Sequence, residues 1–175
     1  AGTSNFVAGV NAGDSITSGG NNNTLIGDNA GTTITTASNN TAVGSRAMIA
    51  NTSGAENTAV GEQALTVNTT GANNTAIGKA ALLLNTTASY NTVVGSSAMY
   101  NNTTGSNNVA VGFQSLQQNT TAYQNTAVGT TALKSTTTGL DNTGVGFSAM
   151  FANTTGYNNT AVGKSSLAAN TTGAQ

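Results

Sequence analysis

Apolar and polar positions along this chain follow neither the helical period nor the simple alternation of a lone strand; they recur every 17 residues. Eight blocks of 17 run without insertion from Asn40 to Gln175, opening at Asn40, Asn57, Asn74, Asn91, Asn108, Asn125, Asn142 and Asn159. Residues 23–39 form a ninth block of 17, residues 5–22 a looser tenth of 18, and residues 1–4 a leading segment. The organisation is therefore two divergent N-terminal repeats (5–39) and eight regular ones (40–175) of a single array. A block reads N-T-A-V-G-x-x-A-L-x-x-N-T-T-G-x-N. Its fifth column is Gly in all ten blocks, which marks a backbone corner turned once per repeat. The fourth column is Val or Ile in the eight regular blocks, and the ninth exchanges Leu65 and its equivalents for Met48, Met99 and Met150, as core fillers of equal volume do. These two columns are predicted to form the core, with small residues such as Ala42, Ala47, Ala59 and Ala64 beside them in columns three and eight.

Seventeen residues are few for a helical repeat, and Thr, Asn and Gly are poor helix formers. Antiparallel hairpins would want Asn-Gly or Asp-Gly turns, yet not one Asn here precedes Gly. Coils stacked in parallel fit: one short strand near 41–43, a second near 51–53, and corners at Gly44 and Gly54. The expected fold is an all-β parallel β-solenoid, or β-roll, of ten coils; at about 4.8 Å per coil the rod would be about 48 Å long. Like residues then stack into ladders, with amide-to-amide hydrogen bonds between Asn residues in columns one and twelve. Glu62 and Lys79 share column six in adjacent blocks and should pair one strand spacing apart.

Composition narrows the chemistry. Thr, Asn and Gly make up 81 of the 175 residues, and only nine residues are charged, so an ordinary enzyme surface is ruled out. The absence of Pro suits a chain that uses every backbone N–H in a ladder. With neither Cys nor His, disulfides, thiolates, the usual catalytic bases and most transition-metal ligands are missing. The carboxylates Asp14, Asp28, Glu56, Glu62 and Asp141 never share a column in neighbouring coils, which leaves no paired acid and base. Asp14 and Asp28 match no calcium-binding repeat and read as turn residues. We therefore expect a non-enzyme without cofactor or metal. A net charge of −1 with four basic residues cannot neutralise a nucleic-acid backbone. The longest apolar run, 80–84, is too short to span a bilayer or serve as a signal core. Because residue 1 is Ala, a processed leader or an excised fragment is expected.

Each coil offers little apolar bulk against the entropy of ordering its residues, so burial between copies is expected to complete the structure. The last block is a regular repeat without a polar cap, which predicts either a following domain or rods joined end to end. Aromatics sit in variable columns: Phe113 and Phe147 in column six, Tyr100 and Phe151 in column ten, Tyr123 and Tyr157 in column sixteen. Variable columns of a solenoid face outward, so these six are the candidate contacts for a receptor or glycan, with contacts between copies as the preferred alternative. Ice binding competes as a reading of the Thr ranks, but columns thirteen and fourteen, as in Thr69 and Thr70, point to opposite faces, and T-x-T ranks are missing apart from cases such as Thr33 and Thr35. Asn68–Thr70 and its equivalents also match a glycosylation acceptor, a match the repeat itself forces.

The runs Asn57-Thr-Ala-Val-Gly61 and Asn159-Thr-Ala-Val-Gly163, each followed by Ala-Leu or Ser-Leu and then N-T-T-G, resemble the head repeats of YadA-like trimeric autotransporter adhesins and related repeats of phage and bacterial tail fibres. The resemblance covers residues 5–175, although the block here is longer than the adhesin repeat and opens on Asn-Thr. It implies a homotrimer of left-handed parallel β-rolls, extracellular, on a cell surface or on a virion, working as an adhesive head or stiff spacer, and it brings no catalytic residues. The expected function is a structural protein that forms an extracellular fibre or filament with an adhesive surface; the alternative is a ligand-binding solenoid that takes ice or glycan.

Overall fold

The computed structural model describes residues 2–174. Ten three-residue strands, one per block, run as β1 (Phe6–Ala8), β2 (Thr24–Ile26), β3 (Thr41–Val43), β4 (Thr58–Val60), β5 (Thr75–Ile77), β6 (Thr92–Val94), β7 (Val109–Val111), β8 (Thr126–Val128), β9 (Thr143–Val145) and β10 (Thr160–Val162). They form one parallel sheet in chain order, in which every strand neighbours its sequence neighbours. The register is column on column: Thr58 lies beside Thr75, Ala59 beside Ala76 and Val60 beside Ile77. The fold is a parallel β-solenoid.

The repeat alone does not explain how a coil closes. Gly at column five takes φ between 119 and 142° in every block, and a Cβ on Gly112 would lie 2.5 Å from the Gly129 carbonyl oxygen of the next coil. No other residue fits that corner. Beyond it, columns seven and nine are left-handed, as at Gln63 (φ 60°) and Leu65 (φ 52°), and so is column seventeen, as at Asn73 (φ 58°). Left-handed residues at alternate positions point their amides in turn down and up the axis: Arg46 N–H donates to the Asp28 carbonyl of the coil before, and Met48 N–H to the Ala64 carbonyl of the coil after. The turn is thus hydrogen-bonded between coils as a strand would be, without being extended.

The expected second strand at 51–53 is not formed; the segment is bent. Asn51 Nδ2 donates to the Gly54 carbonyl three residues on (2.8 Å), and this short closure curls the backbone away from the extended form. Contact between coils is kept by Thr52 and its equivalents, whose N–H and hydroxyl both donate to the Thr69 carbonyl above.

The core also differs from expectation in one column. Successive residues of a strand face opposite sides, so columns three and four cannot both point inward. Column three does: Ala59 and Ala127 are 0% exposed, whereas Val128 and Ile77 in column four are 37% and 39% exposed. Ala42, Ala47, Met48, Leu65 and Met99 are buried as expected. Most coils hold one large side chain across columns three and nine, although the sixth buries both Val93 and Met99. Column nine supplies it in the regular blocks. In the second block Leu25 fills column three and Gly31 takes column nine, where a Cβ would lie 2.8 Å from Leu25 Cδ2. Large and small residues trade places while the filled volume is kept.

Candidate interaction surfaces

Four sets of residues are candidates for meeting a partner. The first is the outer face of the sheet, where column two supplies Thr in eight of ten strands and column four supplies Val or Ile from Ile26 to Val162. None of the nine charged residues falls on this face. Its hydroxyls differ from those of column thirteen. Thr69 Oγ1 donates to the Thr86 carbonyl at 3.0 Å, and Thr86 Oγ1 to that of Thr103. Among the described residues, the hydroxyls of Thr41, Thr58, Thr75 and Thr126 have no partner within the chain, although each side chain is half-buried. A flat, uncharged stripe of methyls and unpaired hydroxyls thus repeats along the rod. Sequence reasoning missed it because it assigned the Val column to the core.

The second set is the candidate aromatics. Five are exposed: Phe113, Tyr123, Phe147, Phe151 and Tyr157. Tyr100 is half-buried. Columns seven and ten come together across the turn, as Lys134 of column ten shows: its Nζ donates to Gln114 Oε1 of column seven at 2.9 Å and sits 6.0 Å from the centre of the Phe151 ring, also in column ten. Lys164 Nζ lies 5.9 Å from the centre of the Phe147 ring in the coil below. Tyr123 and Tyr157 belong to column sixteen, on the other side of the strand, so the six candidates do not form one cluster.

The third is the ion pair. Lys79 Nζ and Glu62 Oε2 are 3.0 Å apart on exposed side chains, as the register requires. Exposure limits its energetic weight to a few tenths of a kcal/mol.

The fourth is the Asn-Thr-Thr triplets. Asn68 is fully buried and donates to Asn51 Oδ1 (3.0 Å) and the Gly71 carbonyl (2.9 Å). A glycosyl donor cannot reach that nitrogen in the folded chain. The Asn columns are instead the polar interior of the rod. In column one each Oδ1 accepts both the backbone N–H and the Nδ2 of the next Asn, as Asn57 does from Asn74 at 2.9 and 3.2 Å, and Nδ2 also reaches the Ala88 carbonyl at 2.9 Å. Among the described residues, no group of three acidic residues gathers that could hold a metal ion, and no helix is long and apolar enough to cross a membrane. Compared with protein-family models, curated proteins and solved structures, the chain matches none.

Proposed function

We propose that this chain is a non-enzymatic structural protein, a segment of an extracellular fibre or filament in which copies associate side by side, as a homotrimer, and present an adhesive surface. One observation carries the reading: the uncharged Thr/Val stripe that runs along the sheet, apolar enough to be buried and regular enough to meet its own symmetry mates. The resemblance to trimeric adhesin and tail-fibre repeats supports the three-fold stoichiometry, the left-handed coil and the cell-surface or virion setting. One or two large buried side chains per coil support association from the energetic side, because little apolar surface is buried within one chain.

Sedimentation velocity tests it. The wild-type chain should sediment as a trimer, and Val94→Lys with Val111→Lys, which put two charges on the stripe, should give a monomer with unchanged circular dichroism. A wild-type monomer, or a trimer indifferent to the two lysines, overturns the reading. The stripe also favours a second reading. Its T-x-V ranks put unpaired hydroxyls and methyls at the strand spacing, the arrangement a crystal face of ice would engage. Thermal hysteresis in the wild-type chain, lost on Thr75→Lys, would establish that reading; freezing without hysteresis removes it.

A further inference from the structure

The aromatics and lysines of the C-terminal coils form a surface with a chemistry of its own. We infer that the turn flank of residues 113–164 binds a carboxylated polysaccharide, an inference that rests on the adhesive part of the reading above. Phe113 and Phe147 share a column two coils apart, so about 10 Å separates them along the axis, and they are 48% and 53% exposed. Phe151, 39% exposed, joins this flank through Lys134, which lies over its ring and donates to Gln114, the residue after Phe113. Apolar rings at this exposure suit the C–H faces of sugar residues.

Column seven, next to the rings, is polar and uncharged here: Thr131 and Ser148 share a hydroxyl hydrogen bond of 2.9 Å, and Gln114 Oε1 accepts from Lys134. These are groups that exchange hydrogen bonds with sugar hydroxyls. Two cations frame the patch. Lys134 is held by Gln114 and Phe151, and Lys164 lies by Phe147. Among the described residues neither lysine has a carboxylate partner, the ion pair of the chain being Lys79 with Glu62. The one acid among residues 88–175, Asp141, occupies column seventeen, beyond the Gly139 bend. A ligand that combines stacking faces, hydroxyls and carboxylates matches this set. A neutral glycan would leave both lysines unused, and a polyanion without sugar rings would leave the three phenylalanines unused.

The test measures binding of the full chain to polygalacturonate, dextran and poly-L-glutamate by titration calorimetry at low and physiological salt. Polygalacturonate should bind best and weaken as salt rises. Lys134→Gln with Lys164→Gln should weaken it about tenfold, and Phe113→Ser with Phe147→Ser by about as much, with circular dichroism and melting unchanged. Equal binding of dextran or poly-L-glutamate, indifference to either pair of substitutions, or no binding to polygalacturonate overturns the inference. Sedimentation of the same samples separates the two claims. A trimer that ignores polygalacturonate sinks the glycan site alone, and a monomer that binds it sinks the side-by-side association alone.

Discussion

Thr136 shows what the asparagine columns contribute. It stands in column twelve where the regular blocks otherwise carry Asn, and the ladder breaks there. Thr136 Oγ1 and Asn119 Oδ1 are both buried without a hydrogen-bond partner, whereas Asn102 Oδ1, one coil earlier, accepts Asn119 Nδ2 at 2.7 Å. A buried polar atom left unpaired costs about 1–3 kcal/mol. Thr136→Asn should therefore stabilise the chain by about 1–3 kcal/mol, read from the midpoint of chemical denaturation at an unchanged slope. A neutral or lowered midpoint would mean that the Asn columns are not a hydrogen-bonded interior. The contrast with Ile34 supports the same logic: where column twelve turns apolar in the second block, the side chain is fully buried and leaves no polar atom to satisfy.

At the scale of the coil, sequence was informative about period and register and blind to facing. Gly at column five announced the corner, and the opposite charges of Glu62 and Lys79 announced which residues would be neighbours. Removing each in turn and both together, Glu62→Gln and Lys79→Gln, should reveal a coupling of about 0.2–0.5 kcal/mol that fades near 1 M salt. No measurable coupling at low salt would place the two in different registers. Three features were illegible for physical reasons. Ala and Val are both apolar, and composition does not say which of two adjacent columns a strand turns inward. Leu65 and Met48 hold left-handed φ, a conformation for which neither residue type gives a sequence signal, so the turn could not be foreseen. The triplet at 51–53 looks like a strand by composition, and the Asn51 amide curls it. The exposed aromatics were found because variable columns face out, but their division into a flank shared with two lysines and a separate tyrosine pair depends on which columns the turn brings together.

At the scale of the molecule, the rod is held by bonds that repeat along its axis more than by a deep apolar core, and that arrangement frees its long faces for other work. The Thr/Val stripe suits burial against further copies, while the aromatic flank suits a ligand, so stiffness and adhesion can reside on different sides of one coil. Both depend on the coils being piled in register. Pulsed dipolar spectroscopy on chains spin-labelled at two exposed column-fourteen positions, diluted into unlabelled chain, tests this most directly. Labels at Thr70 and Thr121, three coils apart, should be separated by about 14 Å along the axis, and labels at Ser53 and Thr155, six coils apart, by about 29 Å, each with a narrow distribution. A separation that fails to double with the number of coils, or a broad distribution at either pair, contradicts the stacked solenoid.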